Sequence, residues 1–235
     1  MATAPSHFGP PTLQAAAYEG SMERLLALLA AGADAGALDA DGRTALHWAA
    51  MGGRAAVVAH LLRAAPAAAS GVNRADPEGL TPFISAAAAG HVGVLAALLA
   101  AGADANAATA AGRTALHYHK GRAHVVEALL PAVRDVDARD AGGQTALHRA
   151  AGPGFVEAAR ALLAAGARPD VADAAGRTPL HAACEEARVD VARLLLEHGA
   201  QPEARDRDGR TPLQLCADPR ARASLEGLVL RGGGA

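Results

Sequence analysis

The stretch Gly42-Arg43-Thr44-Ala45-Leu46-His47-Trp48-Ala49-Ala50 recurs, with small changes, along the whole chain. It returns as G-L-T-P-F-I-S-A-A from Gly79, G-R-T-A-L-H-Y-H-K from Gly112 and G-Q-T-A-L-H-R-A-A from Gly143. The last two copies are G-R-T-P-L-H-A-A-C from Gly176 and G-R-T-P-L-Q-L-C-A from Gly209. Their threonines stand at 44, 81, 114, 145, 178 and 211, giving steps of 37, 33, 31, 33 and 33. A weaker copy, T-L-Q-A-A-A-Y-E-G, opens at Thr12, and Leu13 to Leu46 is again 33 residues. Seven copies therefore fill the chain of 235 residues almost from end to end.

One copy already predicts a folded module. Threonine caps a helix with its hydroxyl, and the proline that follows in three copies (Pro82, Pro179, Pro212) stands where a missing N–H costs nothing. A short alanine-rich first helix follows, then a small-residue turn such as Gly52-Gly53. The second helix carries pairs such as Val57-Val58 and Leu61-Leu62 at the spacing of a buried stripe. Gly32, Gly102, Gly166 and Gly199 fall just past that helix, where a left-handed cap is wanted. Asp39, Asp76, Asp140, Asp173 and Asp206 each precede the next Gly by three, which is turn chemistry for a projecting hairpin. No module can bury its apolar faces alone, so neighbours share stability.

A period of 33 with this phrase resembles the ankyrin-repeat signature over about nine tenths of the sequence. The resemblance implies an all-α ankyrin solenoid of seven helix–turn–helix repeats joined by β-hairpin loops. We place one domain over residues 8–235 after an N-terminal tail of 1–7. The repeats run 8–38, 39–75, 76–108, 109–139, 140–172, 173–205 and 206–235. The step of 37 implies a longer loop across Ala64 to Val72, around Pro66 and Ser70. The step of 31 removes two residues near His119-Lys120, which predicts a shortened first helix or a tightened turn.

Composition narrows the function. With 22 Lys+Arg against 24 Asp+Glu, no global basic field exists to hold nucleic acid or an anionic membrane. Two cysteines exclude a disulfide scaffold, and the N-terminal stretch reads as lacking a secretory leader. No apolar run reaches the ~18 residues of a membrane span. We expect a soluble intracellular chain; the cytoplasmic and nuclear location and the monomeric state expected for it come from the family resemblance given below. Phosphate-loop, dinucleotide, nucleophile-elbow and zinc-protease patterns are all missing, so no catalytic residue, metal or cofactor is expected. His47, His117, His148 and His181 recur once per repeat, about 8–10 Å apart if the repeats pack as helices do. That spacing favours imidazoles hydrogen-bonded to the capping Thr and adjoining loop over a metal site. A local trio, His117, His119 and His124, keeps a tetrahedral metal site open as the alternative. Cys184 and Cys216 read as buried small residues rather than reactive thiols.

The positions left free by the scaffold are the hairpin tips and the outer side of each first helix. Arg43, Arg113 and Arg177 follow hairpin glycines and could pair carboxylates, or simply solubilise an edge. Asp41 and Glu78 lie at tips, and Glu185-Glu186 end an inner helix, so the expected concave side is mixed in sign. Trp48 and Tyr118 follow Leu-His directly and either pack or meet a ligand. Lys120 is the only lysine and lies in the irregular fourth copy.

The order of these non-consensus residues resembles the gankyrin family, ankyrin-repeat assembly chaperones of the proteasome regulatory particle. The resemblance implies a concave face that grips the C-terminal domain of one base ATPase subunit and delays docking of its ring onto the proteolytic core. It assigns Arg43, Lys120, Glu185, Glu186 and Asp41 as partner-binding residues, joined by Trp48, Glu78, Arg113, Tyr118 and Arg177 on our own reading of the free positions. Leu80 stands where animal members carry Trp. Their Leu-x-Cys-x-Glu stretch, linked there to the retinoblastoma protein, appears here as A-A-C-E-E with Ala182 replacing Leu. The alternative is a generic ankyrin scaffold or regulator of transcription or cell-cycle proteins, without a proteasome role.

Overall fold

The computed structural model describes residues 12–64 and 71–232. The expected tail 1–7, the loop residues around Pro66 and Ser70, and residues 233–235 lie outside the described residues. By its internal packing the chain divides into two compact units, residues 1–115 and 116–235.

In the first unit, three helix pairs follow the repeat: α1 (Leu13–Glu19) with α2 (Met22–Ala30), α3 (Ala45–Met51) with α4 (Ala55–Ala64), and α5 (Pro82–Ala89) with α6 (Val92–Ala100). First helices pack side by side, α1 on α3 and α3 on α5, and each also packs on its own second helix. Alanine makes this possible: Ala45, Ala49, Ala50, Ala86 and Ala87 are sealed from solvent and let backbones approach. Phe83, Ile84, Leu95 and Leu98 fill the space between layers. Burying each contributes about 1.5–3 kcal/mol relative to exposure.

The second unit repeats the scheme with α7 (Ala123–Leu129), α8 (Ala146–Ala151) with α9 (Val156–Ala164), α10 (Pro179–Glu185) with α11 (Val189–Glu197), and α12 (Pro212–Leu215) with α13 (Pro219–Gly232). The fourth repeat departs from the pattern. Its first helix is a single 3-10 turn, Ala115–Tyr118, so the two missing residues shorten that helix. Another 3-10 turn, Leu130–Ala132, ends its second helix at Pro131.

The caps form as the sequence predicts. Thr12 and Thr81 accept from the backbone N–H three residues on, at 3.1 and 3.2 Å. Thr44, Thr145 and Thr178 form capping boxes with His47, His148 and His181, and Thr211 does so with Gln214. Gly32, Gly102, Gly166 and Gly199 all take φ between 85 and 89°, which a β-carbon disfavours.

The hairpins are tighter than the β-hairpin loops expected from the resemblance. Among the described residues there is no strand, only an isolated antiparallel bridge between Ala108 and Thr114. The cause is the aspartate that opens five of these loops, Thr109 standing in its place in the hairpin that carries the bridge. Asp39 Oδ1 accepts from the N–H groups of Asp41 and Arg43 at 3.0 and 2.9 Å, while the Gly42 N–H bonds the Asp39 carbonyl at 3.0 Å. The loop closes on itself after one backbone pair, leaving nothing for a ladder. Asp76, Asp140, Asp173 and Asp206 repeat the arrangement. Single backbone hydrogen bonds tie neighbouring loops: Ala110 to Glu78, Ala174 to Gly142 and Arg207 to Ala175.

Candidate functional site

The repeated histidines fasten one repeat to the next. His47 Nδ1 accepts from the Thr44 N–H at 3.2 Å, which fixes the neutral tautomer with the proton on Nε2. That Nε2–H then donates to the carbonyl of Leu80, 33 residues on, at 3.1 Å. His148 and His181 do the same towards Arg177 and Arg210 at 3.0 and 3.1 Å. His117 donates to the Gln144 carbonyl at 3.0 Å. The structural reading of these imidazoles is therefore the one observed.

His119 is an unforeseen addition. Its Nδ1 accepts from the Gly121 N–H at 2.9 Å and its Nε2 donates to the Ala146 carbonyl at 3.2 Å, while its ring stands edge-on to Phe155. It pins the shortened fourth repeat to α8 where other repeats use a full first helix. Burial lowers the pKa of His47, His119, His148 and His181 below the usual imidazole value, so all four are neutral near pH 7. The ring nitrogens of His119 are spoken for and His124 is exposed, so the trio does not converge. Among the described residues no three His, Cys, Asp or Glu gather to hold a metal. Cys184 and Cys216 are buried and unbridged, and burial pushes the Cys184 thiol up to about 12, far from a thiolate nucleophile.

The free positions of the sequence are organised by ion pairs. Arg43 does not stand open: its Nε lies 2.9 Å from Asp76 Oδ2 on the next hairpin, and its guanidinium sits 5.6 Å from the Trp48 ring centre. Trp48 is 7% exposed, donates its indole N–H to Asp39 Oδ2, and meets Tyr18 edge-on at 5.9 Å. The second repeat thus gathers Asp41, Arg43 and Trp48, and Glu78 joins Asp41 and Arg43 around a 310 Å³ cleft between hairpins. Asp41 and Glu78 are exposed, and neither carboxylate has an ion-pair partner among the described residues.

In the second unit Arg177 lies 2.8 Å from Glu185 and 4.0 Å from Asp206. Asp206 also receives Arg210 at 2.9 Å, and Arg210 reaches on to Asp208. Burial pushes the Asp206 carboxyl up, but the backbone N–H and guanidinium of Arg210 outweigh it and hold it below the usual range. Glu186 is exposed at the end of α10. Lys120 is exposed in the turn before α7 with φ 46°, a left-handed conformation that turns it away from the helix path. Tyr118 is half-buried at the end of the 3-10 turn. Arg113 is half-buried, its N–H held by Thr109 Oγ1, the residue that replaces Asp in that hairpin.

Sequence reasoning missed the acceptors. Asp76 and Asp206 read as turn formers, yet their Oδ2 atoms face the assigned Arg43 and Arg177 at 2.9 and 4.0 Å. The signal was present: an Arg after one hairpin Gly faces the Asp of the following hairpin. Arg149 was also missed; it lies 3.3 Å from Asp140.

Residues 13–109, 96–173 and 154–232 match the family described as ankyrin repeats in three copies. The chain is similar to the crystal structure of the human ASB11 ankyrin repeat domain, with 29% identity and a TM-score of 0.80 over 95% of this chain and 98% of that one. It is similar also to the ankyrin repeat domain of Bcl-3, described as a unique member of the IkappaB protein family. There the identity is 25% and the TM-score 0.74, over 95% of this chain and all of that one. No similar protein was found among the curated proteins.

Proposed function

The chain belongs to the ankyrin-repeat family of protein-binding scaffolds, and from that premise we propose that it is an assembly chaperone for the proteasome regulatory particle. In this reading it binds the C-terminal domain of one base ATPase subunit as a monomer in the cytoplasm and nucleus, and catalyses nothing. The observation that carries the proposal is the set of charges fixed in place on hairpins and first helices. Arg43 on Asp76 and Arg177 on Glu185 are held by the scaffold, while Lys120, Glu186, Asp41 and Glu78 point outward from defined positions. Charges fixed within each unit steer and orient a charged helical partner more than they add raw affinity.

A second reading, a scaffold for regulatory proteins unrelated to the proteasome, is supported by the likeness to the ASB11 and Bcl-3 domains. Affinity capture separates the two. Under the chaperone reading, base ATPase subunits dominate the captured proteins. Lys120→Glu and Glu186→Lys each weaken capture about fivefold or more while melting as the parent does. Capture of other proteins with no base subunit, or full binding by both variants, overturns it.

A further inference from the structure

Cys184 and Cys216 are the chain's only cysteines, and they stand in successive repeats. Their register sets them face to face. In α10, His181 points at the seventh repeat, since its Nε2–H donates to the Arg210 carbonyl. Cys184 lies three residues further on, one turn along that same side. In α12 the place that matches His181 is Gln214, which is exposed. Pro212 and Cys216, four residues apart on the other side, are buried. Because α10 packs on α12, that buried side is the one turned to Cys184.

The joint is close enough for the two sulfurs to meet. Facing Cα atoms on helices packed about 8–10 Å apart come within about 4–6 Å, the span a disulfide bridges. Burial first, and the Cys216 sulfur second, push the Cys184 thiol up to about 12, so the two groups feel one another. Closed, the pair is inert, with Cys184 1% exposed and Cys216 fully sealed. What uncovers it is the seventh repeat. Its first helix has four residues and ends at Cys216. Cys216 is tied down by its carbonyl, which accepts from Arg222 Nε at 3.0 Å, and by its thiol, 3.5 Å from the Asp218 carbonyl. A single helical turn opens at lower cost than a full first helix.

We propose that Cys184 and Cys216 form a redox site, at which a hydroperoxide converts the facing thiols into a disulfide that locks the seventh repeat onto the sixth. When α12 lifts, the Cys216 thiolate attacks one peroxide oxygen and the O–O bond breaks. Hydroxide or alkoxide leaves, taking up the proton that the thiol gave to solvent, and Cys216 becomes a sulfenic acid. When α12 closes, the Cys184 sulfur attacks the Cys216 sulfur. The S–S bond forms, the S–O bond breaks, and hydroxide leaves with the Cys184 proton as water. The two thiols lose two electrons and the peroxide gains them. A thiol reductant reverses the step, as in the transient, redox-sensing disulfides of reducing compartments. The lock does not rest on the identity of any protein partner.

The test treats the full chain with hydrogen peroxide, with and without dithiothreitol afterwards. Tryptic peptides 178–188 and 211–220 should appear joined, and the chain should keep single-chain size on a non-reducing gel. Free thiols counted in denaturant should fall from two to none per chain, and dithiothreitol should restore both. Hydrogen exchange across α12 and α13 should slow at least tenfold in the oxidised chain. Leu225→Ala, at a sealed leucine of α13, should speed disulfide formation at least fivefold. Leu25→Ala, at an equally sealed leucine of α2, should leave the rate unchanged. The inference is overturned if peroxide leaves both thiols free, if the link joins two chains, or if each cysteine oxidises alone to a sulfinic acid. Equal rates in the parent and Leu225→Ala, or equal acceleration by both leucine changes, overturn it as well.

Discussion

The same phrase builds both units, yet they differ in almost everything the phrase leaves open. Among the described residues the first unit has three full first helices, one buried ion pair, and the exposed carboxylates Asp41 and Glu78 at its hairpin tips. The second has a first helix reduced to a 3-10 turn, a four-residue α12, an ion pair at Asp140 and a cluster of ion pairs centred on Asp206. The threonine, leucine and alanine positions carry stability, and they are alike in both. The positions after the glycine and at the end of the first helix are those proposed for recognition, and there the units diverge. A repeat protein can thus vary its partner surface without altering its core.

The largest expected effect lies in the core of the first unit. Phe83→Ala removes its largest sealed side chain and should cost about 4 kcal/mol, lowering the urea midpoint seen by Trp48 emission. Hydrogen exchange should show that loss within residues 1–115; equal loss in the second unit would erase the distinction between them. Asp76→Ala comes next. It leaves Arg43 without its carboxylate and two loop N–H groups without an acceptor, at a cost of about 3 kcal/mol in the same melt. In the second unit, His119→Ala should cost about 2 kcal/mol by stranding the Gly121 N–H and the Ala146 carbonyl. An unchanged melt would show that the shortened repeat needs no staple.

Acid sharpens the comparison further. The fold holds His47, His119, His148 and His181 neutral, with pKa values below the ordinary 6.5. Above pH 6.5 both folded and unfolded chains are neutral there, and the contribution is whole. Below it the unfolded chain takes protons first, so stability declines as pH falls from 6.5 through the lowered folded-state values. Three of the four sit in the second unit, so hydrogen exchange at pH 5.5 should rise more there than in the first. The smallest effect belongs to Glu185→Gln. Its pair with Arg177 is partly exposed, and the melt should move by less than about 0.5 kcal/mol.

Much of this was legible before any coordinates. Helix starts, caps and hairpin positions follow from hydrogen bonds between residues three or four apart, and such spacings survive in a linear string. The histidine clamp was half legible: its bond to the local threonine could be read, but its reach to the following repeat's carbonyl needed the stacking. Arg43 shows the limit most clearly. Read alone it is an exposed guanidinium for a partner; only packing reveals Asp76 beside it and Trp48 beneath. The two-residue gap announced an irregular fourth repeat, but whether it would be a shortened helix or a tight turn depended on His119 finding Ala146 and Phe155.

The central claim is that this chain holds another polypeptide on its hairpins and first helices. Hydrogen exchange of the full chain, alone and saturated with a purified base-ATPase C-terminal domain, tests it most directly. The account predicts slowed exchange in the hairpin loops and at the ends of α3, α5 and α10, with α4, α9 and α11 unchanged. Protection confined to those second helices, or none anywhere, would contradict it.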